Sequence, residues 1–238
     1  MKPAFLARTL HKWLALIVGV QLAIWTLSGF YMVVVDLDFI HGDPLVRNLR
    51  TPLELPPEMM SPSQVVARYP EATGIALRAL PGLPAVYEVT RAGRPVLLDA
   101  ASGEQLSPLP EATVRALARA YYAGQGDIAS VRLIERDPPL EIQSRPLPLW
   151  RVDFDDWLAT SLYIHPDTGR LVTRRHRFWR WFDFFWMLHI MDYESRADVN
   201  NGLLRGATVI GAITVASGLW LLYFSFRRRR SHPARGAS

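Results

Sequence analysis

There is no cysteine in these 238 residues. Disulfides, thiolate metal centres and a cysteine nucleophile are excluded together, and an oxidising compartment is permitted without being required. Also missing are a nucleophile elbow, an H-E-x-x-H pair, a phosphate-cradling glycine loop and a dinucleotide fingerprint, so no catalytic apparatus of its own is recognisable. Charge is missing from two long stretches, "WLALIVGVQLAIWTLSGFYMVVV" (13–35) and "GATVIGAITVASGLWLLYFSF" (206–226). Acid is missing from both tails. Lys2, Arg8 and Lys12 precede the first stretch, Arg227, Arg228, Arg229, Arg230 and Arg235 follow the second, and all 22 Asp and Glu residues lie between them.

A helix of about 20 apolar residues crosses a hydrocarbon core of about 30 Å. Only helices and closed barrels satisfy their backbone in lipid, and these stretches are continuous rather than alternating. They predict transmembrane helices over 13–35 and 203–226. Positive flanks stay in the cytoplasm, which places tails 1–12 and 227–238 inside and the middle outside. The formal net charge of +5 then reflects topology and contact with anionic membrane lipid, not nucleic-acid binding. The first span exceeds the roughly 7–15-residue core of a signal peptide, and "DLDFIHGDPL" behind it holds no A-x-A site, so an uncleaved anchor is expected.

The middle opens with a Pro-rich linker (36–60) and then repeats itself. "SPSQVVARY" (61–69) and "PEATVRALARAYYAG" (110–124) read as short helices, the first with Ser61 and Gln64 placed for a capping box and Pro62 at the first helical position. Strand-like runs follow each: "GIALRAL", "AVYEVTR" and "PVLLDA", then "ASVRLIER", "LWRVDFD" and "SLYIHP". "VLLDAASGEQL" (96–106) aligns with "LYIHPDTGRLV" (162–172), Gly103 falling on Gly169 and Ser102 on Thr168. Each glycine is expected at positive φ, with Asp167 and Thr168 closing the second turn on their own backbone. The expected fold class is α+β: two units, 61–109 and 110–175, each a helix on an antiparallel sheet, between two transmembrane helices.

These segments carry a family likeness. "LWRVDFDD … LYIHPDTGRLV" resembles the PepSY domain, a helix lying on an antiparallel sheet. "RTLHKWLALIVGVQLAIWTLSGFYM" resembles the membrane helix associated with such domains, the match resting on Arg8, His11, Trp13, Ser28 and Gly29. The resemblance implies a PepSY-associated protein of the bacterial inner membrane with its central domain in the periplasm. It implies two kinds of function. The soluble module is similar to the inhibitory propeptide segment of some secreted metallopeptidases, which suggests a periplasmic protein or peptidase partner. Other members, with more membrane helices, look like ferric-siderophore reductases carrying b-type haem in iron uptake. This chain departs from those in having two spans and no flavodoxin-like segment.

Six histidines bear on the choice. His11, His41 and His189 are the candidate haem ligands, since bis-histidine haem needs two imidazoles facing across one porphyrin. The first span is about 34 Å long at 1.5 Å per residue, so His11 and His189 are not expected to share a haem within one two-helix hairpin. His41 and His189 lie on one side and form the better internal pair; His11 pairs with its own copy in a homodimer or with a membrane redox partner. The plainer readings are a snorkelling boundary residue for His11, a turn residue for His41 in "HGDP" and an interfacial residue for His189. His165 reads as a strand-end surface residue, and His176 and His232 as solvated among arginines.

Trp179, Phe182, Trp186 and His189 follow one helical face, which predicts an amphipathic aromatic helix over 176–191, within segment 176–202, at the outer leaflet. Ala207, Gly211, Thr214 and Gly218 set small residues on one face of the second span, for packing on the first or for self-association. Gln21 is expected to hydrogen-bond between helices. Asp153, Asp155 and Asp156 in "DFDD" read as a solvated strand edge rather than a cation site. The leading expectation is a binding or regulatory accessory without a confident cofactor; the alternative is a b-type haem electron-transfer component.

Overall fold

The computed structural model describes residues 3–47 and 51–229. The chain divides into two compact units, an α/β unit of Asp36–Trp181 and a helical unit of Met1–Val35 with Phe182–Ser238.

In the helical unit, α1 (Pro3–Val34) and α6 (Gly202–Arg229) run antiparallel, His11 of α1 meeting Ser217 of α6 while Trp25 and Gly202 line one groove. Neither helix has a polar face, so side-chain pattern alone gives no preferred inward side. Both are long and apolar enough to cross a membrane, over His11–Val34 and Gly202–Tyr223, and only 6% of the most apolar window of each is buried. That bareness separates them from the core helices of a globular domain. Asn201 caps α6, its Oδ1 accepting from Leu204 N at 2.8 Å. Upstream, the loop that joins α6 to α5 (Arg177–Ile190) closes on Asp192. The carboxylate of Asp192 accepts from the backbone N–H groups of Glu194, Ser195, Ala197 and Asp198 and from the Ser195 hydroxyl, which holds it far below the usual carboxylate range.

The α/β unit begins with α2 (Leu37–His41), capped by Asp36, whose carboxylate accepts from Phe39 N at 2.9 Å, and ended by Gly42 in the left-handed region. Then α3 (Pro62–Arg68) starts in the expected capping box: Ser61 Oγ accepts from Gln64 N at 3.3 Å and Gln64 Oε1 from Ser61 N at 2.7 Å. Strands β1 (Ala72–Arg78), β2 (Val86–Arg91) and β3 (Arg94–Asp99) form an antiparallel meander. After α4 (Glu111–Tyr121) a second meander follows, β4 (Ile128–Ile134), β5 (Leu149–Phe154), β6 (Ser161–Ile164) and β7 (Leu171–Arg175). The mixed α+β class with two antiparallel sheets is therefore present. The fourth strand, β7, was not among the expected runs.

Strand alternation distributes the core. Tyr87, Val89 and Leu98 turn towards Val65 of α3, whereas Val86 and Leu97 join Val114, Leu117 and Ala118 of α4 and Val152, Phe154, Leu162 and Ile164 of the second sheet. One core thus unites both helix-and-sheet modules, and separating them would expose its middle. The aligned turns are also the same device. Gly103 (φ +67) donates to Asp99 O and Gly169 (φ +63) to His165 O, both at 2.9 Å. Asp99 Oδ1 and His165 Nδ1 each accept from the N–H two residues on, and the Ser102 and Thr168 hydroxyls accept from Glu104 N and Arg170 N. Thr168 closes its turn as expected; the second side chain is His165, not Asp167.

Candidate functional site

The two histidines of the helical unit occupy matching seats. His11 Nδ1 lies 2.7 Å from Ser217 Oγ of α6, and a Cβ on Gly218 would stand 3.2 Å from the His11 ring. His189 of α5 sends its Nδ1 to within 2.9 Å of Ser28 Oγ of α1, and a Cβ on Gly29 would stand 3.6 Å from its ring. A Ser-Gly pair meets the imidazole each time: the serine hydrogen-bonds it, and at Gly218 the missing side chain also makes room, whereas a Cβ on Gly29 would be in ordinary van der Waals contact. The small-residue face of α6 is thus turned to α1, with Gly218 under His11 and Thr214 buried.

Ser28 Oγ also lies 2.8 Å from Ile24 O, and Ser217 Oγ 2.8 Å from Thr214 O. Each hydroxyl has one proton, which goes either to its own helix or to the imidazole. When it goes to the helix, the imidazole donates from Nδ1, the arrangement found around metal-bound histidines. Trp25 Nε1 adds a bond to His189 O at 2.8 Å and fixes the end of α5. The seats of His11 and His189 are 17 residues apart on α1, His11 against Ser28, which is about 25 Å along its axis; one haem cannot span them.

His41 belongs to the α/β unit. It is exposed at the end of α2, and its carbonyl accepts from Arg174 Nε at 3.0 Å, in keeping with the turn reading. His176 is a correction. It is fully buried rather than solvated, with Nε2 2.9 Å from Phe39 O and 3.0 Å from Ile40 O, so its ring closes the C-terminal end of α2. Its Nδ1 has no partner among the described residues. The arginines around it in sequence point elsewhere: Arg175 stacks on Trp179, 3.9 Å to the ring centroid, and Arg180 binds Glu141. His232 lies outside the described residues.

Asp153 does not sit on a sheet edge, because β5 lies between β4 and β6; Asp155 and Asp156 follow β5 in the segment that leads to β6. Asp153 accepts from Ser130, Arg151 and Ser161 at 2.7–2.9 Å. Burial raises its pKa, but these bonds and the Arg151 charge outweigh burial and hold it below its ordinary value. Asp155 accepts from Asp127 N, and Asp156 from Thr160 and the Tyr122 hydroxyl. All three are consumed structurally. Among the described residues no group of three or more His, Asp or Glu side chains could hold a metal ion.

Gln21 is a second correction. Its Nε2 is buried without a hydrogen-bond partner among the described residues, so the expected bond to α6 is not made. It lines a groove of about 910 Å³ with Ile17 and Trp25 of α1 and Gly206, Ala207 and Gly211 of α6. The aromatic helix appears as α5, Phe182 stacking on Trp186 at 6.3 Å and Trp186 Nε1 donating to Arg196 O at 3.0 Å.

No known protein family matches the chain, and no curated protein or solved structure matches it either.

Proposed function

We propose that this is an inner-membrane protein of the PepSY-associated kind, with both tails cytoplasmic and the tandem α/β domain held in the periplasm as a binding or regulatory accessory. The observation that carries this reading is the shared core of the two modules, which makes one domain between two helices suited to a bilayer. The matched turns at Gly103 and Gly169 support a tandem PepSY-like repeat. The basic tails support the orientation. The partner is a periplasmic protein, with a peptidase the class that the resemblance suggests.

The lack of cysteine makes the test clean. Single cysteines at exposed Ser102 and at Ser231 of the basic tail are treated with an impermeant maleimide on bacteria whose outer membrane alone is opened. Ser102→Cys labels at once and Ser231→Cys only after the inner membrane is lysed; the reverse pattern overturns the orientation. A photocrosslinking residue at exposed Leu133 or Leu140 gives a discrete protein adduct in cells, and the absence of any adduct at both positions overturns the accessory role.

A second reading has its own observation, the serine hydroxyl that holds Nδ1 of His11 and of His189. Either histidine would hold b-type haem together with a histidine from a second copy of the chain or from a redox partner, and haem would supply one-electron transfer. His11 and His189 hold their rings in place through Ser217 and Ser28. An absorption spectrum of protein expressed with haem precursor, oxidised and dithionite-reduced, shows a Soret band and a reduced α band that His11→Ala or His189→Ala removes. A flat visible spectrum from folded protein removes this reading and leaves the first.

A further inference from the structure

Where the second module meets the segment leading out of α2, the α/β unit forms a polar cleft of about 520 Å³, lined by Asp43, Arg47, Tyr121, Arg170 and Arg174. Its walls come from three separate parts of the chain. Residues 45–47 are laced to the end of α4 by Arg47 N→Tyr121 O at 2.8 Å and Ala123 N→Leu45 O at 2.9 Å, with an antiparallel bridge between Val46 and Tyr122. Arg170 leaves the turn before β7, and Arg174 projects from β7 itself, its stem lying against Gly42, where a Cβ would come within 2.9 Å.

The arginines are anchored but not exhausted. Arg174 donates Nε to His41 O at 3.0 Å and pairs with Asp43 through Nη2. Arg170 gives only Nη2 to Glu88, at 2.8 and 3.1 Å, and Glu88 also pairs with Arg78. Arg174 Nη1, Arg170 Nε and Nη1, and the whole Arg47 guanidinium hydrogen-bond to no described residue. Four guanidinium groups thus stand against the two carboxylates of Asp43 and Glu88, leaving a local excess of positive charge. Tyr121 adds a wall whose hydroxyl is already spent on Gly169 O at 3.0 Å.

We propose that this cleft binds an oxyanion, specifically a phosphate group. Guanidinium forks match phosphate oxygens two at a time, and arginines already held by other bonds lose less freedom on binding. Three forks converging on one cleft favour a tetrahedral dianion over a single carboxylate. The phosphate comes either free, as an inorganic or small organic ion, or on a phospholipid headgroup, and the same donors serve both. The inference stands whether or not the histidines carry haem, and it does not depend on which side of a membrane the unit lies.

The test uses the full chain in a non-ionic detergent. Inorganic phosphate is titrated calorimetrically at low salt against the wild type, Arg47→Gln, Arg174→Gln and, as a control outside the cleft, Arg94→Gln. In parallel, native mass spectrometry reads the phosphatidylglycerol retained from nanodiscs of phosphatidylglycerol or phosphatidylcholine. Saturable phosphate binding weakened at least tenfold by Arg47→Gln but not by Arg94→Gln establishes a free phosphate ligand. Failure to bind free phosphate, with phosphatidylglycerol retention cut at least threefold by Arg47→Gln, establishes the headgroup. Because Arg47 is exposed, its replacement leaves the thermal midpoint in place. If neither readout distinguishes Arg47→Gln and Arg174→Gln from wild type and Arg94→Gln, the proposal is wrong.

Discussion

His176→Ala removes the donor that finishes α2. Ile40 O receives no other hydrogen bond from a described residue, whereas Phe39 O keeps Gly42 N at 2.9 Å. A buried carbonyl left without a partner costs about 1–3 kcal/mol. The ring also packs edge-on against Phe39, with centroids 5.2 Å apart, and near Phe178 at 6.4 Å, so its removal leaves a cavity as well. The two effects together come to about 3 kcal/mol, a large share of a typical 5–15 kcal/mol stability.

The same residue imposes a pH dependence. Burial pushes the His176 imidazole below its ordinary value; the Ile40 and Phe39 carbonyls oppose that, Arg180 reinforces it and Asp156 opposes it. A depressed histidine stabilises the fold fully above its unfolded pKa of about 6.5 and loses that contribution as pH falls through the lower folded value. For one group the loss is at most about 1.4 kcal/mol per pH unit. Urea unfolding of the full chain in detergent, followed by tryptophan fluorescence from pH 8 to 5, gives the stability gap between wild type and His176→Ala. The gap is about 3 kcal/mol at pH 8 and narrows below pH 6.5. A gap that stays constant or widens on acidification would refute a neutral, buried donor at this position.

Three further outcomes follow from named contacts. Gly218→Val drives a branched side chain into the His11 ring, displaces it from Ser217 and destabilises the α1–α6 pair by about 1–3 kcal/mol, read as a lowered thermal midpoint in detergent. Gln21→Leu replaces an amide nitrogen with no partner among the described residues by a methyl group and leaves the same midpoint equal or higher; a fall worth more than about 1 kcal/mol would mean that the amide is engaged. Glu88→Gln weakens the bridge from Arg78 of β1 to Arg170 of the second module. With Glu88 15% exposed and Arg170 55% exposed, the expected cost is about 1 kcal/mol in urea unfolding, and no change would count the bridge as solvated.

What could be read in the sequence was local in origin. The Ser61–Gln64 capping box, the two apolar helices and the glycines at 103 and 169 each depend on residues within a few positions, and each is present in the structure. What escaped was set by residues distant in sequence. The interior place of β5 depends on β4 and β6 both pairing with it, and β7 was hidden because its short "LVTRR" ends in arginines that point to a helix or a surface. His176 was read by its arginine neighbours, yet its environment is decided by Phe39 and Ile40, more than 130 positions earlier. The histidine seats are an intermediate case. "SG" occurs at 28–29 and again at 217–218, each inside an apolar helix, where a hydroxyl has only the i−3 and i−4 carbonyls of its own helix or another helix to bond. A serine beside a glycine at such a position therefore asks for a polar side chain arriving from outside its helix. His11 and His189 are polar side chains that arrive from another helix, so the repeated dipeptide was the one legible sign that each histidine meets a serine of a neighbouring helix.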